Sequence, residues 1–299
     1  SFDYGLYQAI MAAQFGGTLI LERSFLYPWA VVNLLREERA TGFPIVPTIS
    51  AILLQMEEIR KESFPDLRYL TNTAAALPVS HINGLRGIFP GADVYSMYGL
   101  TECKRVTYLP PAELDRRPES VGKGMPNEQV WIVDETGRRI EEPGVVGELV
   151  VRGANVMKGY WELPDETAEK LRPGPWPWEK VLYTGDLFRM DEEGWLYFVS
   201  RRDDIIKCRG EKVSPKEIEA AVYGLEDVVE AAVVGVPDEI LGEAIKLYVV
   251  RREGSSLEEK EVLAHCKAHL EDFMIPSIVE FRDALPKTTT GKITTKDLV

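Results

Sequence analysis

The sequence predicts an α/β portion plus a β-barrel-like subdomain, followed by a small α+β C-terminal domain. Three changes of texture carry that reading. Segments of helical and strand period alternate over 1–108, short β-type runs punctuated by turn dipeptides fill 109–200, and capped amphipathic helices with two long strands fill 201–299. A chain of 299 residues has room for about two domains and a sizeable core.

Taken in order, the longest uncharged stretch is 4–21, and it carries Gln8, Gln14, Gly16, Gly17 and Thr18. It therefore reads as a buried helix followed by a short strand at 18–21, and not as a membrane span. Residues 29–39 and 49–61 have amphipathic helical spacing, and 94–97 reads as a strand after the Pro90-Gly91 turn. In the β-rich portion, 129–133, 147–151 and 195–199 are strand-like, set off by Thr136-Gly137, Arg152-Gly153 and Glu193-Gly194. Beyond Arg201, Ser214, Pro215 and Glu217 stand in the order of an N-cap, a first-turn proline and a capping-box acid. Ile218, Ala221, Val222 and Leu225 then give one apolar helix face. Residues 228–236 and 245–250 read as strands. Ser256 with Glu259 predicts a second capping box, opening a helix with Val262, Leu263, Cys266 and Leu270.

Composition excludes several classes. With 35 Lys plus Arg against 48 Asp plus Glu, the net charge is −13, the wrong sign for a phosphate-neutralising nucleic-acid footprint. At 45% hydrophobic and 28% charged, neither a disordered chain nor a fibre fits. Cys103, Cys208 and Cys266 are odd in number and form no C-x-x-C pair, so a reducing cytoplasm is the expected setting. The start has no Met and no basic segment before an apolar run, which predicts a piece cut from something longer rather than a secretory leader.

Four motifs could carry chemistry. Y-S-M-Y-G-L-T-E at 95–102 follows a predicted strand. There Gly99 would permit a turn presenting Thr101 and Glu102 at a strand's carboxyl end, where open α/β sheets bind ligands; alone, it equally reads as a helix N-terminus. Y-T-G-D at 183–186 places Asp186 in a turn. The run 200–215 interleaves Arg201, Arg202, Lys207, Arg209 and Lys212 with Asp203, Asp204 and Glu211, and alone reads as a polar interdomain linker. P-K-T-T-T-G-K at 286–292 lacks the first glycine of a phosphate loop and has Ile293 where Ser or Thr should stand, leaving a loop that offers the Lys292 ammonium. Gly122 and Gly124 lack a third glycine for a dinucleotide fingerprint, and no G-x-S-x-G elbow occurs. His265 and His269 stand one turn apart without a companion carboxylate, and Cys266 lies on the apolar stripe, so a metal site there is not expected.

In order, Y-G-L-T-E, G-E-L-V-V-R-G-A-N-V-M-K-G-Y-W at 147–161, Y-T-G-D, R-R-D-D-I-I-K-C-R-G and P-K-T-T-T-G-K resemble the adenylate-forming (AMP-binding) superfamily along the whole chain. Within it the look is that of AMP-forming acyl-CoA synthetases. The resemblance implies that 1–200 is the C-terminal part of the large domain and 201–299 the mobile C-terminal domain, hinged at Asp203. It implies ATP-dependent activation of a carboxylic acid to an acyl-adenylate and transfer to coenzyme A, with ATP, Mg²⁺ and coenzyme A as cofactors, in fatty acid metabolism. Tyr98 and Gly99 would meet the adenine, Thr101 a phosphate oxygen, and Asp186 and Arg201 the ribose, while Glu102 would hold Mg²⁺, a hard cation suited to oxygen ligands. Lys292 would stabilise charge at the α-phosphate during adenylation. Lys207 and Gly210 would serve the thioester step after the small domain turns.

Three departures qualify that picture. The Ser/Thr/Gly-rich phosphate loop of the family is missing, so the chain is expected to be a fragment, inactive alone, with the N-terminal portion of its own chain as a partner. T-A-A-A-L-P at 73–78 replaces G-G-A-P-L-P, which puts adenine contacts from Thr73, Ala74 and Ala75 in doubt. Asp3 stands where amino-acid-activating relatives hold the substrate ammonium, which keeps open an amino-acid adenylation domain loading a carrier protein. Leu100 and the G-K-I ending favour coenzyme A instead. A catalytically inactive binding module is the remaining alternative, opposed by the intact set Glu102, Asp186, Arg201 and Lys292.

Overall fold

The computed structural model describes residues 3–72, 77–238, 241–288, 293–295 and 297–298, with the backbone alone for Asp3. Two compact units divide it, one comprising 1–184 and 188–198, the other 185–187 and 199–299.

The first unit opens with α1 (Asp3–Phe15) and α2 (Pro28–Glu37), then alternates β1 (Gly42–Ile45), α3 (Pro47–Gln55), β2 (Tyr69–Asn72), α4 (Val79–Ile88) and β3 (Asp93–Leu100). Strands β1, β2 and β3 are parallel neighbours, as helix-crossover connections require. Leu53, Ile59, Leu70, Leu85 and Phe89 fill the core between sheet and helices, each 2% exposed or less. Pro28 and Pro47 begin their helices at positions where a missing N–H costs nothing.

The sheet turns antiparallel at β4 (Cys103–Tyr108) and ends at β5 (Lys123–Gly124). Then follow β6 (Gln129–Val133), β7 (Arg139–Ile140), β8 (Gly147–Arg152), α5 (Pro164–Lys170), β9 (Leu171–Pro173), β10 (Lys180–Met190) and β11 (Leu196–Arg201). These strands form a second sheet in the order β11-β10-β8-β6-β7, with β9 beside β10. The barrel-like form expected for 109–200 is therefore two sheets; among the described residues no closed barrel forms, and an isolated bridge joins Gly122 to Leu196.

The second unit continues with β12 (Ile206–Cys208), β13 (Glu211–Val213), α6 (Pro215–Val222), β14 (Val228–Asp238), β15 (Gly242–Arg251), α7 (Glu259–His269) and β16 (Ile278–Arg282). Strand β15 lies centrally, antiparallel to β14 and parallel to β16. One face of this sheet packs with α6 and α7 around Ile218, Val222, Leu247 and Val262; the other buries Tyr248 with Leu285 and Leu298. Both faces are covered.

Three sequence expectations are corrected. Helix α1 forms, but it is not buried: Leu6 is 65% exposed and Phe15 81%, because the described residues place no layer against that side. Residues 18–21 form no strand. The second capping box is Glu258 with Glu261, two residues later than Ser256 with Glu259, because Leu257 turns into the core and sets Glu258 at the N-cap. The first cap stands as read, with Ser214 Oγ accepting from Glu217 N at 3.4 Å. No helix among the described residues is long and apolar enough to cross a membrane.

Candidate active site

Thr101 and Glu102 form the two-residue turn between β3 and β4, where Leu100 pairs with Cys103. It lies at the carboxyl end of a strand whose other neighbour is parallel, and it is not a helix N-terminus. Gly99 acts by closeness rather than by dihedral: a Cβ there would sit 2.8 Å from Arg105 N, where β4 bulges and Arg105 adopts a φ of 55°, a region side chains normally avoid.

The segment after β8 straps this turn. Met157 N donates to the Glu102 carbonyl at 2.7 Å, Cys103 bridges Val156, and Asn155 Nδ2 donates to the Lys104 carbonyl at 2.8 Å. Tyr160 Oη donates to Glu102 Oε1 at 2.5 Å. The Tyr160 phenol is pushed up to about 12 by burial and by its bond to Glu102. Asn155 also holds Glu128, whose carboxyl burial raises to about 7; burial, then Glu128, pushes the Cys103 thiol up to about 12. Tyr98 stands half-buried with Phe188 edge-on at 4.8 Å and Phe198 stacked at 6.4 Å. Thr101 is exposed.

In the second unit, Asp186 is buried and its Oδ1 lies 3.4 Å from Arg201 Nε, with the Arg201 side chain 65% exposed. Arg201 is thus the exposed partner of a buried carboxylate. Asp203 is exposed in a 3-10 turn at 202–204. Lys207 is exposed in β12, and its backbone N donates to Glu243 Oε2 at 2.7 Å. Arg209 and Gly210 form the β12–β13 turn with φ of 55° and 83°, the paired positive values of a type I′ hairpin. A Cβ at Gly210 would meet nothing within 4 Å.

Lys292 lies outside the described residues, as do Thr73, Ala74 and Ala75 and the side chain of Asp3. The stem of the Lys292 loop is described: Lys287 bridges Ile293, Thr294 N donates to the Pro286 carbonyl at 2.9 Å, and Lys287 pairs with buried Glu230 at 2.6 Å. His265 and His269 turn ring nitrogens to the carbonyls of Ala221 and His265, at 2.9 and 2.8 Å. The G-Y-W at 159–161 assigns Tyr160 no role by itself, since nothing local links a tyrosine to a carboxylate 58 positions earlier.

No cluster of three or more His, Cys, Asp or Glu that could hold a metal occurs among the described residues. Glu102 alone fits one habit of Mg²⁺, which commonly takes one or two carboxylates and completes its shell with phosphate oxygens and water.

Comparison with known proteins gives these features a frame. The model of the AMP-binding enzyme family matches residues 1–161, and that of the AMP-binding enzyme C-terminal domain matches 217–292. The chain is 35% identical over 298 residues to a long-chain-fatty-acid–CoA ligase of Bacillus subtilis, covering 99% of this chain and 52% of that protein. Among solved structures it resembles the amide bond synthetase McbA of Marinactinospora thermotolerans, with a TM-score of 0.90, 32% identity, and coverage of 99% of this chain and 60% of that one. ATP-bound MatB of Rhodopseudomonas palustris gives 0.88 at 33% identity, covering 99% and 57%. The chain thus spans about half the length of the curated relatives it matches. With family models covering both its strapped acidic turn and most of its smaller unit, the chain belongs to the AMP-binding enzymes.

Proposed function

We propose that this chain serves the ATP-dependent activation of a carboxylic acid to an acyl-adenylate and its transfer to the thiol of coenzyme A. The observation that carries the proposal is the Thr101-Glu102 turn, a hydroxyl and a carboxylate presented together at the carboxyl end of β3 on a backbone held from both sides. Relatives named as CoA ligases support the reaction class.

Residues 1–200 act as the adenylating part and 201–299 as the domain that moves about Asp203. Thr101 donates to a phosphate oxygen, Tyr98 and Gly99 face the adenine, and Asp186 accepts from the ribose hydroxyls beside Arg201. Glu102 would hold Mg²⁺, which when bound neutralises phosphate charge. The substrate carboxylate needs no base: its oxygen attacks the α-phosphorus as pyrophosphate leaves, with the Lys292 ammonium fixed where negative charge builds. The thiol sulfur then attacks the acyl carbon, losing its proton, and AMP leaves with the bonding pair. Lys207 and the Gly210 turn face that second step. The whole enzyme's acid and its partners, including the polypeptide equivalent to the remaining half of the relatives, belong to this proposal.

Acid-dependent exchange of pyrophosphate into ATP, run on this chain alone and on the chain joined to an upstream half, tests it. Exchange by the joined protein with a fatty acid panel is the expected result. Exchange by the chain alone contradicts its proposed dependence on the upstream half, and no exchange by either with any acid contradicts the function. The resemblance to an amide bond synthetase favours one second reading, an amine as acyl acceptor. Offering amines beside coenzyme A after adenylation separates the two.

A further inference from the structure

Four contacts from one short segment converge on the acidic turn, and they divide the labour. Met157 N, the Cys103–Val156 bridge and Asn155 Nδ2 all hold main chain, at residues 102, 103 and 104. Among the described residues only Tyr160 touches the Glu102 carboxylate, donating from Oη to Oε1 at 2.5 Å. A glutamate on a turn has three rotatable bonds, and fixing its backbone leaves its carboxylate free to swing. A single donor on one oxygen removes that freedom while leaving the acceptor capacity of the other oxygen in place.

We propose that Tyr160 is a positioning residue that orients the Glu102 carboxylate toward a divalent cation bound with the nucleotide phosphates. The inference rests on the reading of Glu102 as the metal-holding carboxylate. It adds that this chain supplies its own orienting donor, 58 residues along the sequence, on the strap that also fixes the turn. Partners of this kind are worth roughly ten-fold or more in metal affinity when removed.

The test is a Mn²⁺ titration of the joined protein with ATP present, read by electron paramagnetic resonance as the free ion lost beyond what the same ATP removes without protein. Tyr160→Phe keeps the ring and removes the one donor. It is expected to weaken ATP-dependent Mn²⁺ binding roughly ten-fold, leaving metal-free ATP affinity and melting temperature near those of the unsubstituted protein. Glu102→Gln should abolish that binding, and adding Tyr160→Phe to it should change nothing further. Glu102→Asp keeps the charge but draws it back from Tyr160 by one methylene; it should bind weakly and be indifferent to Tyr160→Phe. If Glu102→Gln abolishes binding and Tyr160→Phe matches the unsubstituted joined protein, the positioning role is overturned while the metal reading stands. If Glu102→Gln binds normally, or the unsubstituted joined protein shows no ATP-dependent binding, the metal reading fails and the inference with it. Equal effects of Tyr160→Phe with and without the Glu102 carboxylate also overturn the inference.

Discussion

Two hairpin turns in this molecule carry candidate site residues, and they are built in opposite ways. The β3–β4 turn is strapped: main chain at 102, 103 and 104 is held by Met157, Val156 and Asn155, and the carboxylate by Tyr160. The β12–β13 turn is tied by one of its two tip residues, Arg209 N donating to the Leu241 carbonyl, and a side chain added at Gly210 would meet open space. The first turn needs its glycine because another backbone passes close to Gly99; the second needs its glycine because φ is 83°. Under the proposed function the first turn holds a cation, for which a fixed frame is an advantage, and the second admits a long thiol arm, for which clearance is.

Substitutions can break that contrast, beginning with the largest effect. Gly99→Ala drives a Cβ to 2.8 Å from Arg105 N and displaces the bulge beneath the acidic turn. Adenylate formation should fall by 100-fold or more, on the order of 3 kcal/mol in the barrier, and calorimetry should show a lower melting temperature; normal activity would mean that the turn tolerates displacement. Asn155→Ala removes the donor to the Lys104 carbonyl. An unfolding titration should show a loss of about 1–3 kcal/mol, with adenylate formation slowed and thioester formation spared.

Gly210→Ala should behave differently. The strained φ costs about 1 kcal/mol, adenylate formation is untouched, and only the thioester step slows. A fall in adenylation would show that the two turns are not separate in function.

The smallest expected effect is on pH dependence. Burial raises the Glu128 carboxyl from 4.5 to about 7, so the folded state favours its neutral form. The stability this contributes is fully present below pH 4.5 and is lost as pH climbs through about 7. Glu128→Gln should therefore raise the melting temperature at pH 8 and leave it nearly unchanged at pH 4; a lower melting temperature at pH 8 would show that the fold favours the carboxylate.

Local signals were legible and distant ones were not. Ser214, Pro215 and Glu217 announced α6 because a cap is written within four residues. The next cap is not fixed by its sequence, because Ser255, Ser256, Glu258 and Glu259 all offer acceptors and the burial of Leu257 decides among them. The apolar residues of α1 predict burial that its exposed face does not have, since apolar residues do not say whether a covering layer is present in the same chain. The turn that presents Glu102 is legible in Y-G-L-T-E; its contact with Tyr160 is not, because the strap reaches the turn through tertiary packing.

The central claim is that the strapped turn serves adenylate formation and the open turn serves thioester formation. The direct test measures both half-reactions in the joined protein, the second from supplied acyl-adenylate, for Glu102→Gln and Lys207→Ala. Glu102→Gln should lose adenylate formation by about 100-fold or more and keep thioester formation, while Lys207→Ala does the converse. Equal loss of both half-reactions in both variants would contradict the account.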